Sequence, residues 1–126
     1  MWENLKQNVK KMVDKKHELE TQYRTQRDMH IDELTMVAAS RIQEDISESV
    51  RKFNENYLRT ATCGSVQVDN TFKDVSFGKH LGMIEDRIRR SVPDWIIITE
   101  VRPWDHYTNI KLIVEYIIDE DRVCAE

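Results

Sequence analysis

The side chains best suited to recognition lie close together near the C-terminal end. Arg102, Trp104, His106 and Tyr107 all fall within the run Arg102-Pro103-Trp104-Asp105-His106-Tyr107-Thr108. Trp, Tyr and Arg dominate interface hot spots because they combine large contact area with a polar handle. A tryptophan on a loop tip is unfavourable in water unless something covers it. These four residues are therefore the expected partner-binding set. The plainer reading is that Trp104 and Tyr107 fold back onto the sheet or the long helix, since small cores recruit such aromatics.

A second group is basic: Arg87, Arg89 and Arg90, with Lys79 and His80 one or two turns earlier. Arg87 and Arg90 share a side at helical spacing and could contact phosphates. Arginines near a helix C-terminus are favoured by the helix dipole in any case. Glu85 and Asp86 also dilute the field, so a solvated face laced with salt bridges is weighed above a nucleic-acid contact.

Catalytic chemistry is not expected. The histidines, His17, His30, His80 and His106, are scattered, with no HxxxH or CxxC spacing for a metal. Asp105 and His106 are sequence neighbours, but side chains point oppositely along a strand and no nucleophile is brought to them. Glu44, Asp45 and Glu48 form an acidic helical region without the matching Glu-x-x-His of a di-metal bundle. No GxGxxG, P-loop or GxSxG occurs. The chain is read as a non-enzyme without metal or cofactor.

These groups must be positioned by a chain of 126 residues, enough for one domain with a helical extension. Charged residues make up 33% and apolar ones 40%, with both signs mixed, which suits long solvated helices. The net charge is -4, and the excess acid lies beyond Thr60. That balance argues against a general nucleic-acid binder. Cys63 and Cys124 make neither a disulfide framework nor a zinc site. The N-terminal lysines are not followed by an apolar run, and Trp95 to Thr99 is too short to span a bilayer. The expected address is a reducing cytoplasm.

Met1 to Cys63 contains no glycine or proline. Trp2, Leu5, Val9, Met12, Leu19 and Tyr23 fall on alternating steps of three and four residues, with Lys16 holding one seam position. This is a heptad stripe and the expected oligomer interface. The register fails after Tyr23, where Arg24 to Asp28 is polar and Asp28 could cap a new helix. An eleven-residue spacing then relates Ile31, Ile42 and Phe53, as well as Ile46 with Tyr57 and Ala39 with Val50. The stretch is read as one long helix with a phase change, or as two helices meeting near residues 24 to 30. Met36 to Ala39, its most apolar run, is expected to be the most buried.

Beyond the Gly64 helix stop, Ser65 to Asp69 alternates as a short strand. Phe72, Val75 and Phe77 suggest a second. A helix follows from about Gly78 to Val92, capped by Asp74 or Ser76, with Leu81, Ile84, Ile88 and Val92 inward. Trp95 to Val101 and Asn109 to Ile118 read as two further strands. They are joined by a long Pro-initiated loop from Arg102 to Thr108. Asp119 to Asp121 should stop the last strand ahead of a frayed tail.

The expected fold is thus α+β. Residues 1–60 form a helical arm, and residues 61–126 a small antiparallel sheet of three or four strands with one packed helix. In outline this is similar to small accessory proteins of bacteriophages, a likeness of architecture that implies binding and inhibition of a host factor. The expected function is a non-enzymatic homo-oligomer, most simply a dimer, that offers its sheet domain to a protein partner. A nucleic-acid-associated factor and a structural subunit of a larger assembly such as a virion are the alternatives. Removing residues 1 to 23 should weaken self-association and leave the sheet domain folded.

Overall fold

The computed structural model describes residues 1–55, 62–106 and 109–125, with the side chains of residues 54, 55, 106 and 109 left aside. The elements are α1 (Trp2–Glu55), β1 (Cys63–Asp69), α2 (Phe77–Ser91), β2 (Ile96–His106), β3 (Asn109–Ile118) and a short α3 (Glu120–Cys124). The three strands are antiparallel in the order β1-β3-β2. Helices α1 and α2 pack on one face of this sheet, and among the described residues no element packs on the other, an α+β arrangement.

α1 is a single uninterrupted helix of 54 residues. Of the two readings, one long helix with a phase change is the one found, and two helices meeting near residues 24–30 are not; Asp28 caps nothing. Every i to i−4 hydrogen bond can form in the absence of Gly and Pro. The polar side chains at that point are engaged sideways: Arg27 Nη2 lies 3.1 Å from the Asp28 carboxylate. The phase change is real all the same. A strict heptad stripe slides back by about 20° per repeat on a straight helix. By Tyr23 it lies about 70° around the helix from the stripe that enters the core.

That core stripe is Ile31, Leu34, Thr35, Ala38 and Ile42, with Ile46 half-buried. The small Ala38 lets the helix approach the sheet closely. Met36 is 71% exposed and Val37 also faces solvent, so only Ala38 of the expected apolar run is fully buried. Composition alone misleads here, because the run spans more than one helix face. Opposite α1, the sheet contributes Val66, Val68, Ile96, Ile98, Val101, Leu112, Val114 and Tyr116. From α2 come Phe77, Ile84 and Ile88.

Gly64 is not a helix stop. It lies within β1 directly opposite Tyr116, where an added Cβ would come within 2.5 Å of both the Tyr116 hydroxyl and the Asp45 carboxylate. The Tyr116 hydroxyl donates to Asp45 Oδ2 at 2.5 Å. This contact fastens α1 to the sheet.

Phe72, Val75 and Phe77 form no strand. The Asn70 side chain accepts from the Phe72 amide at 3.0 Å and donates to the Val75 carbonyl at 2.7 Å. Those bonds close a turn in place of a ladder. Ser76, and not Asp74, caps α2, accepting from the Lys79 amide at 3.3 Å.

β2 runs on through the expected loop. Residues Arg102 to His106 pair in register with Asn109 to Ile113, and only residues 107–108 separate the strands. A shift in register between Ile98 and Glu100 is what allows this. It returns Val101 to the inner face beside Val114 after the apolar run Trp95–Ile98. Pro103 is tolerated because β2 is an edge strand. Asp119 to Asp121 do more than stop β3: Asp119 caps α3, accepting from the Arg122 amide at 3.3 Å.

Candidate interaction surfaces

Three groups of side chains were expected to carry function, and the structure places them on three separate surfaces. The first is the arm. Trp2, Leu5, Val9, Met12, Leu19 and Tyr23 are all exposed, Trp2 at 77% and Met12 at 64%. They line one side of the part of α1 that reaches past the sheet. Its first 26 residues are all solvent-exposed. Ion pairs of the arm stay within the helix: Lys15 with Glu18 at 3.6 Å and Lys16 with Glu20 at 3.9 Å. Met12, Lys16, Leu19 and Tyr23 border a shallow groove along this side.

The arm meets the rest of the protein at a small polar junction. Tyr23 donates its hydroxyl to the Asp74 carbonyl at 3.2 Å. About two helical turns further on, His30 Nδ1 lies 2.7 Å from Asp74 Oδ1 and its ring stacks on Phe72 with centroids 4.0 Å apart. The turn made by Asn70 therefore sits on the same side of α1 as the arm's apolar stripe. Sequence reasoning missed this junction, since nothing in the local sequence links His30 to residues 44 positions away. His80 is buried beside the same region, at a kink in α2 (φ -110, ψ 16). Its burial, with Arg27 and Lys79 adding to the effect, holds the imidazole below its ordinary pKa.

The second surface carries the arginines, and each is paired. Arg87 Nη1 donates to Asp32 Oδ1 at 2.9 Å and to the Asp28 carbonyl at 3.1 Å, tying α2 to α1. Arg89 reaches Glu85 at 2.8 Å and the Ile98 carbonyl at 3.3 Å. Arg90 pairs with Asp86. These contacts partly neutralise the charge that phosphate binding would use.

The third surface is the open face of the sheet. Arg102 and Trp104 point out of it, so they are strand residues and not a loop tip. Trp104 is 37% exposed, and the Lys111 ammonium stands 5.9 Å from its ring on the neighbouring strand. Arg102 lies 3.9 Å from Glu100 and 3.7 Å from Glu115. Ile97, Ile117 and Cys63 add apolar surface at the far end of the same face. Tyr107 lies outside the described residues, as does the side chain of His106.

Among the described residues no group of three or more His, Cys, Asp or Glu is placed to hold a metal ion. No helix among them is long and apolar enough to cross a membrane. The geometry defines an α+β head carrying a projecting helix. No protein-family model, curated protein or solved structure matches the chain.

Proposed function

We propose that this chain is a non-enzymatic interaction protein. It associates with a second copy of itself through the arm and offers its head, chiefly the open sheet face around Arg102 and Trp104, to a protein partner. The observation that carries the reading is the arm's stripe: six large apolar side chains at heptad spacing, all in water. Each gains about 1.5–3 kcal/mol on full burial. A helix this long, whose first 22 residues make no described contact with sheet or α2, draws little stability from propensity alone. A partner helix supplies what the head cannot reach. The flanks suit a helical neighbour, since lysines and acids border the seam and Val13 is the one valine beside it.

Light scattering of the full chain at micromolar concentration should give a mass at least twice that of one chain. Leu5→Glu together with Leu19→Glu should return the monomer while the circular dichroism of the head persists. A monomeric parent protein with full helicity rejects the reading. For the head, Trp104→Ala and Arg102→Ala should weaken capture of the protein partner without altering mass. If neither does, the sheet face is not the docking surface.

A further inference from the structure

Self-association through the arm leaves open how two arms run, and the structure contains what decides it. In heptad terms Trp2, Val9, Lys16 and Tyr23 occupy one seam position, and Leu5, Met12 and Leu19 the other. The next residue of the first series is His30. A parallel, in-register pair would stack each residue on its own copy. Lys16 would then meet the partner's Lys16 inside the seam, two like charges side by side, each with only Glu20 of its own helix to offset it. Trp2 would face the partner's Trp2, and Tyr23 the partner's Tyr23.

Such a pair would also have to continue. α1 has no break between Trp2 and Glu55, so a parallel partner entering at Trp2 is carried on past Tyr23 towards His30. The seat beside His30 is already taken. Asp74 holds its Nδ1 at 2.7 Å, Phe72 is stacked on the ring, and the Tyr23 hydroxyl is bonded to the Asp74 carbonyl. Two heads would therefore crowd into the same length of seam.

Reversing one arm removes both conflicts. We propose that two copies pair antiparallel through residues 2–19, with Trp2 against the partner's Leu19, Leu5 against the partner's Lys16, and Val9 against the partner's Met12. Each lysine then lies across from a leucine, along which its methylene stem packs while the ammonium turns outward to Glu20 of its own helix, now 3.9 Å away. Large residues face smaller ones, and no residue of the seam meets its own copy. Flanking charge serves this arrangement as well as the other: Lys6 comes beside the partner's Glu20, where a parallel pair would set Lys15 there. The paired length is about 27 Å, and it requires no seat at Tyr23 or His30. The heads emerge at opposite ends, each with its open sheet face unobstructed.

The inference rests on the proposal of a self-associating arm, and one experiment separates the two. Full-length chains carrying Cys63→Ser and Cys124→Ser would be made with Leu5→Cys under one tag and Lys16→Cys under another. They would be mixed, oxidised gently and resolved without reductant. An antiparallel pair gives the mixed Leu5→Cys/Lys16→Cys product in clear excess, with little Leu5→Cys self-product. Predominant Leu5→Cys self-linking overturns the orientation and leaves self-association standing. A dimeric mass with no cross-link at either position also overturns it. A monomeric mass for the uncross-linked parent removes self-association and the orientation together. Circular dichroism of each variant guards against misfolding.

Discussion

At Gly64 a single hydrogen atom decides how closely helix and sheet fit. A methyl there would strike both the Tyr116 hydroxyl and the Asp45 carboxylate that it meets. Gly64→Ala should cost about 1–3 kcal/mol of stability, as overpacking does. Tyr116→Phe should cost about 1 kcal/mol, less than a fully buried bond to a charged group because Asp45 keeps some water. Their coupling is the sharper prediction. In the Tyr116→Phe background the alanine should cost less, since the hydroxyl it would strike is gone. Urea midpoints of the four proteins measure this, and simple additivity would mean that the contact is not shared. His80 offers a second test at this scale. Its folded pKa lies below the ordinary 6.5, so near and below that pH the unfolded chain binds more protons than the folded one. Stability therefore rises with pH through this window, and His80's contribution is lost as the pH falls below about 6.5. Arg27 and Lys79 reinforce the effect, and Asp28 and Asp74 oppose it. His80→Leu should flatten the fall in urea midpoint between about pH 7 and pH 5. An unchanged slope would assign the dependence to other groups.

Between elements, the joints are polar clamps laid over an apolar contact. Arg87 holds α2 to α1 through Asp32 and the Asp28 carbonyl. Because Asp32 is largely in water, Arg87→Ala should cost only about 1 kcal/mol. Exchange of the α2 amides should quicken more than exchange in β3, and equal protection in both would show that the clamp is dispensable. Such joints explain which parts of the fold are legible in the sequence. The helix face Ile84–Ile88 and the alternation along β3 are written locally, in periods of 3.6 and 2. The α+β class and the arm stripe follow from those periods alone. What is not local is not legible. Gly64 looks like a helix stop until Tyr116, on another strand, is known to lie opposite. Pro103 suggests a turn, yet the register shift near Thr99 and an edge position let β2 continue through it to His106. Trp104 consequently stands on a strand beside Lys111. Nothing near His30 in sequence announces Asp74 or Phe72.

For the whole molecule, the question is how much of α1 the head needs. Core burial on the helix begins at Ile31, and the junction reaches back only to Tyr23. Residues 1 to 22 make no described contact with sheet or α2, so their removal takes no apolar side chain out of the core. Deleting them while keeping Tyr23 should leave the unfolding free energy of a dilute sample, measured in urea, within about 0.5 kcal/mol of the intact chain, as for surface changes remote from the core. Self-association should be abolished in the same protein. The two outcomes are linked by concentration. If the arms pair, the intact chain gains stability as it is concentrated, because association favours the folded state by mass action. The shortened chain should show no such dependence. Chemical denaturation of both proteins across a range of concentrations therefore tests the division of labour in one series. Equal concentration dependence in the two would place the association surface on the head, and a collapse of the shortened chain at every concentration would show that the arm is part of the fold.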